Sequence, residues 1–400
     1  MCYYGYGDNM KKISMKRWLV VTVLFAVFAN IAHPVTPRFI KELGLGDAMF
    51  GWAFAGMAIT NFLFSPMWAK LCEKYGSIKL TMVSLFFYGV AQLMFGFSTT
   101  ASSIMFARLL GGFFVGGLYV SQLVYIVNNT SDEEKGPAMV NNSTMQIVAG
   151  TIGYLLGGLI GDYSIRAAFY FQFSGLVLAV IYVYFFVAEN EITANNEKLT
   201  LAKINPFNTF KKTGVDSSVF LRNIFIVSIL ASVASVLYDQ TFNYYMADFF
   251  NFAPSVNGVI KAITGVLAFI ANSTLTIWLI KKTDISKSLA YIYMVVAILI
   301  IALISINVPV LFLAINIIYF TIHASYIPLI QKIVTDHSTD QNTAVGKINS
   351  LKSLGMIIGA VIAGQGYAIF KQLPFILAAV IFIISGLITL YNVRNRGFQQ

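Results

Sequence analysis

Apolar residues come in long blocks from Trp18 almost to the end of the chain, and short polar breaks separate them. A helix needs about 20 apolar residues to cross the hydrocarbon of a bilayer. Twelve blocks meet that length, at 17–37, 48–70, 78–98, 102–128, 138–161, 166–188, 222–246, 256–280, 287–306, 308–331, 343–370 and 373–393. They predict an all-α membrane protein with twelve transmembrane helices. The main interruption is Glu189–Arg222, with Glu189, Glu191, Glu197, Lys198, Lys203, Lys211 and Lys212. It is too polar to be membrane-embedded and reads as a linker. The predicted organisation is a head at 1–16, a six-helix bundle at 17–188, a linker at 189–221, a second six-helix bundle at 222–393 and a tail at 394–400.

Composition agrees. The chain is 58% hydrophobic and only 11% charged, whereas soluble domains carry about 25% charged residues. Its mean hydropathy is +0.74. The net charge of +10 does not point to nucleic acid, because its placement follows the membrane. With the twelve spans drawn, 21 Lys and Arg fall on one side and only Arg38, Lys41, Arg166, Lys261 and Lys371 on the other. The positive-inside rule then puts both termini in the cytoplasm. Cys2 and Cys72 both fall on that side, so no disulfide framework or metal site is expected. The first apolar block runs into His33-Pro34-Val35-Thr36-Pro37 without a small-x-small cleavage site, and is read as a span. Ile-, Phe-, Asn- and Lys-rich usage fits a bacterium with an AT-rich genome, hence a bacterial plasma membrane.

The two halves share a pattern. Ala149, Gly153, Gly157 and Gly158 in the fifth block recur as Gly355, Gly359, Ala363 and Gly364 in the eleventh, always 206 residues later. Small-x-x-x-small spacing lets membrane helices pack closely. Its recurrence at the fifth span of each half points further, to parallel repeats with a binding site between them.

Several motifs occur in a familiar order. Ala69-Lys70-Leu71-Cys72-Glu73-Lys74-Tyr75-Gly76 and Lys79 resemble the G-x-L-a-D-R-x-G-R-K loop of the major facilitator superfamily. Arg108-Leu109-Leu110-Gly111-Gly112 is similar to its R-x-x-q-G. Asp132-Glu133-Glu134-Lys135-Gly136 is similar to its acidic-basic-glycine loop, and Ile165-Arg166-Ala167-Ala168-Phe169 to its W-R-w-p-F. The glycines of the fifth block resemble the antiporter element of the 12-span drug:proton antiporter branch, with Tyr154 in the place of its proline. The resemblance implies two pseudo-symmetric six-helix bundles that rock about a central cavity lined by spans one, four, seven and ten. It implies a monomer. It also implies that Glu73, Lys74, Gly76 and Lys135 form a cytoplasmic gate. On residue chemistry alone, Gly76 permits a turn that other residues resist, and Glu73 can pair with a base or a helix end.

Charge inside a membrane is costly and marks function. Asp239 lies about 22 Å from the cytoplasmic edge of its span, and Arg108 about 10 Å deep from the other side. They are the candidates for proton coupling: a carboxylate beside a cation stays ionised and takes up a proton when the pair opens. Polar groups expected to line the cavity are Asn30, His33, Tyr119, Gln122, Gln146, Gln240, Asn243, Tyr244, His323 and Tyr326. No phosphate-binding loop, metal-binding histidine pair or nucleophile elbow occurs. Neither an enzyme nor a cofactor is therefore expected. The expected function is proton-coupled efflux of amphipathic small molecules, with protons and the bilayer as the other partners. An importer, a glycolipid exporter and a non-transporting membrane sensor are the alternatives.

Overall fold

The computed structural model describes residues 4–187, 205, 207, 218–306, 308–338 and 341–396. Of these, 4–14, 132–133, 135–137, 140, 341–343, 345–346 and 395–396 are described by backbone alone. The predicted linker at 189–221 lies outside the described residues, apart from 205, 207 and 218–221.

All regular structure among the described residues is helical. In chain order the helices are α1 (Tyr4–Asn30), α2 (Thr36–Glu42), α3 (Met49–Tyr75), α4 (Ser77–Gly96), α5 (Ala101–Asn129), α6 (Asp132–Tyr163), α7 (Ile165–Phe186) and α8 (Val219–Asp248). Then follow α9 (Pro254–Ala271), a π-helical turn (Asn272–Thr276), α10 (Ile277–Lys282), α11 (Ile285–Ile304), α12 (Pro309–His323), α13 (Tyr326–Asp336), α14 (Gln341–Ile369) and α15 (Leu373–Arg396). Among the described residues, ten segments are long and apolar enough to cross a membrane: α4 to α8, α9–α10, α11, α12–α13, α14 and α15. With α1 and α3, each 27 residues long, ahead of them, the order is consistent with twelve spans.

Side chains set the helix starts. Thr100 and Ser103 form a capping box on α5. Ser164 caps α7, Ser218 caps α8, and Asp284 accepts from the backbone N–H groups of Ser286 and Lys287 at the start of α11. Each satisfies a donor that the first helical turn leaves open.

Three spans are broken where the apolar pattern reads as continuous. The first ends at Asn30, turns through 31–35 and resumes as α2. Pro34 has no N–H to offer the Asn30 carbonyl, which accepts from the His33 N–H at 3.2 Å instead, and Pro37 falls in the first turn of α2. The tenth is interrupted at Ala324–Ser325 between α12 and α13. Pro328 has no N–H to offer the Ala324 carbonyl, and its ring crowds it. The eighth carries the π-turn, where the Ser273 and Thr274 hydroxyls donate back to the carbonyls of Phe269 and Ile270.

The chain divides into two compact units. The first comprises 1–43, 56–206 and 253–259; the second comprises 44–55, 207–252 and 260–400. Small residues hold each unit together, as expected where lipid offers no hydrophobic drive between helices. In the first, α6 packs on α1: a methyl added at Gly153 would strike the Val27 carbonyl, and one at Gly157 the Ile31 carbonyl. Gly158 faces the start of α9, with Pro254 O 2.7 Å from the methyl position. In the second unit, α14 packs on α8 in the same way. Gly355 sits against Ser232 and the Ile229 carbonyl, and Gly359 against the Val233 carbonyl. Gly364 meets Ala48 and Gly51 at the start of α3. The 206-residue offset extends to the surfaces these glycines touch, because Val27 and Val233 are separated by it, and so are Ala48 and Pro254.

Candidate functional site

Helix α8 carries Ser235, Asp239 and Asn243 at intervals of four, so they stand about one turn apart on one face. All three are only partly buried, on a helix whose other faces are packed. Asp239 forms an ion pair with Lys261 of α9. The Lys261 side chain is 13% exposed and that of Asp239 35%, so the ammonium is enclosed while the carboxylate keeps an open flank. Aromatic rings enclose the ammonium. Its Nζ lies 4.2 Å from the ring centroid of Phe320 and 5.5 Å from that of Phe242, within the range of cation–π attraction.

One turn away, Ser235 donates to the Ala231 carbonyl at 2.6 Å. Its oxygen is thereby left to accept from His323, whose Nε2 lies 2.8 Å away. His323 stacks on Tyr319 and lies 4.5 Å from the Tyr326 ring. Tyr238 donates to Asn316 and packs on Tyr319 with centroids 3.7 Å apart. At the other end of the strip, the carbonyl oxygen of Asn243 is buried with no hydrogen-bond partner among the described residues. The second unit thus holds a line of polar groups walled by Phe and Tyr.

Tyr244, expected to line the cavity, joins a second network within this unit. Its hydroxyl donates to Asp47 at 2.9 Å, its ring stacks on Phe50, and it meets Tyr367 edge-on. Tyr367 in turn donates to Asp248, which pairs with Lys371 at 2.6 Å. Gln240 is partly exposed on α8.

In the first unit Arg108 is buried, with its guanidinium carbon 3.7 Å from the Phe95 centroid. Nη2 donates to Thr36 at 3.4 Å and Nη1 approaches the Met57 sulfur at 3.8 Å. These contacts of Arg108, and that of Asp239 with Lys261, lie within their own units. Gln146 donates to Gln122 at 2.9 Å, joining α6 to α5. Asn30 turns back onto the Ala26 carbonyl, His33 stacks on Tyr154, and the half-exposed Tyr119 meets Phe25 edge-on.

At the gate candidates, Glu73 is held by Lys70 of its own helix at 2.8 Å, and Lys74 lies over the Tyr75 ring at 5.3 Å. The side chain of Lys135 lies outside the described residues. Gly76 has φ +87° and ψ +149° between α3 and α4, a region open essentially to glycine alone.

The profile described as Major Facilitator Superfamily matches residues 18–360. The chain belongs to this superfamily. It is a membrane transporter, whose family and fold are not those of enzymes. Among relatives, it is 23% identical over 385 residues to Multidrug resistance protein 2 of Bacillus subtilis (strain 168), covering 94% of this chain and 95% of that one. It matches Quinolone resistance protein NorA of Staphylococcus aureus (strain MSSA476) at the same identity and coverage. Solved folds agree. A bacterial homologue of the human lysosomal transporter Spinster superposes with TM-score 0.75 at 11% identity over 96% of this chain and 97% of its own. The nucleoside transporter NupG gives 0.73 at 14% identity over 95% and 98%.

Within the superfamily fold, the group that sequence reasoning missed is Lys261. By topology it ranks with the cations at the outer ends of the spans, yet it falls five residues inside the predicted 256–280 block. That depth was the available signal. Phe242 and Phe320 carry no such mark, being two among 34 phenylalanines.

Proposed function

We infer that this superfamily member exports amphipathic small molecules in exchange for protons, by alternating access. The observation that carries the reading is the partly open carboxylate of Asp239, held by an aromatic-walled lysine inside the membrane. An ion pair enclosed by hydrocarbon is costly to break and leaves an uncompensated charge. Proton transfer to Asp239 removes that charge from the carboxylate and frees Lys261 from it. The pair is therefore an element that a proton can switch, and the aromatic walls beside it suit amphipathic cargo. Relatives named for multidrug and quinolone resistance support the same cargo class. Arg108, with no carboxylate within 4.0 Å among the described residues, completes the proposed coupling set.

The same reading assigns a bacterial plasma membrane, cytoplasmic termini, a monomer, and a cytoplasmic gate at Glu73, Lys74, Gly76 and Lys135. The test is flux of a fluorescent amphiphile in proteoliposomes under an imposed pH gradient. Uphill movement against the inward proton gradient is expected in the native chain, with only downhill exchange in Asp239→Asn. Movement of the amphiphile in the same direction as protons makes the chain an importer and overturns the export reading. Full uphill flux in Asp239→Asn removes the carboxylate from coupling.

A further inference from the structure

A second feature of the second unit lies away from the polar strip. The π-turn, α10, the first half of α11 and α12 enclose an open groove of about 470 Å³. Its walls are apolar, from Leu275, Leu279, Tyr291, Val295 and Ile322. Its polar end holds Thr283, Asp284, Lys287 and Ser288. Lys281 and Lys282, both exposed, close α10 beside that end. The charges there are unequal. The Asp284 carboxylate is engaged as the cap of α11, accepting at 2.9 and 3.1 Å. None of the three lysines has a carboxylate partner among the described residues.

We propose that this groove binds an anionic phospholipid, with an acyl chain along Leu275, Leu279 and Val295 and the headgroup phosphate on Lys282 and Lys287. Three features favour a lipid over other occupants. The groove is cut into three membrane-spanning segments, Pro254–Lys282, Ile285–Ile304 and Pro309–Asp336, so its apolar length opens where acyl chains are the solvent. Its one charged end carries a net surplus of cations where the spans leave the hydrocarbon. Basic pockets between transmembrane helices at that level recognise anionic headgroups. The π-turn is the local cause of the shape, because an inserted residue widens the helix and displaces the wall that follows it. Leu275 sits in that turn.

Trp278 on α10 is 55% exposed and next in sequence to Leu279 of the groove wall, so it reports on the groove. The full chain is reconstituted in phosphatidylcholine vesicles containing brominated phosphatidylglycerol or brominated phosphatidylcholine at equal mole fraction. The emission lost in Trp278→Phe is taken as the Trp278 signal. Stronger quenching by the phosphatidylglycerol is expected, and its preference falls about fivefold for each lysine removed in Lys282→Gln and Lys287→Gln. Both lysines are exposed, so the variants keep the native thermal midpoint. Excess inorganic phosphate leaves the quenching unchanged. Equal quenching by the two lipids in the native chain overturns the proposal, as does a preference that survives in the double variant. Displacement by inorganic phosphate overturns it in favour of a free-anion site. None of these readouts involves cargo flux, so the groove stands or falls apart from the transport reading.

Discussion

Lys261 is bound to Asp239 on one side and covered by the ring of Phe320, 4.2 Å from its Nζ, on the other. The ammonium thus has two partners of different strength, a charge and a quadrupole. Removing the carboxylate leaves the weaker one. Asp239→Asn is expected to lower stability by about 1–3 kcal/mol, between the values for exposed and enclosed pairs. Lys261→Met, which keeps an unbranched side chain one atom shorter and removes the charge, should cost a similar amount. The double variant should cost less than the sum of the two, because neither charge is left alone. Thermal midpoints in detergent for the four chains check this. Strict additivity would mean that the pair contributes nothing to the resting fold.

The glycine contacts give a matched comparison between the two units. Gly153 and Gly359 each face the carbonyl of a valine 206 residues from the other's. Ala at either position should destabilise by about 1–3 kcal/mol, since α6 or α14 must move off its neighbour. Gly366 is the control, with only ordinary contact to Pro374 at 3.4 Å, so Gly366→Ala should leave the midpoint unchanged. Size-exclusion profiles after graded heating measure all three. Equal behaviour at Gly153, Gly359 and Gly366 would show that close helix approach is not what these positions require.

At the α3–α4 turn, Gly76 combines positive φ with extended ψ. Gly76→Ala should cost about 1–3 kcal/mol in backbone strain. Gly76→Asn should do no better, because asparagine is at home in the left-handed helical region and not in this one. Rescue by Asn but not Ala would mean that the turn relaxes to a left-handed helical geometry.

How far the sequence carried these assignments depended on whether the deciding signal was local. Gly76 was legible because a motif placed a glycine where the chain must turn. The α6 and α14 stripes were legible because close packing repeats every four residues. Asp239 was legible because an acid in an apolar block has few structural uses. Its partner was not recognised, because a lysine near a span end is usually an interfacial cation. The break at Ala324 was signalled by Pro328, but the apolar pattern runs on through it. The π-turn has no comparable mark, since Asn272-Ser273-Thr274 fits an ordinary helix equally well. The engagement of Tyr244 with Asp47 could not be read at all, because it joins residues 197 apart with no pattern linking them.

Glu73 and Lys70 separate a gate from a stabilising contact. Their pair is three residues apart on one helix, and both side chains are substantially exposed, at 43% and 34%. Such a pair contributes about 0.2–0.5 kcal/mol to a helix. Glu73→Gln should therefore leave the thermal midpoint within experimental scatter. If Glu73 serves as the proposed gate, it must leave Lys70 for another partner during the cycle. The same variant then slows transport severalfold at equal abundance, by disturbing the balance of inward- and outward-open forms. Lys70→Gln frees the carboxylate without removing it, so it should slow transport less than Glu73→Gln does. Uptake and efflux rates in proteoliposomes, normalised to protein, test both. Native rates in Glu73→Gln would reduce the acid to a solvated helix surface. A larger loss in Lys70→Gln than in Glu73→Gln would make the lysine the gating group.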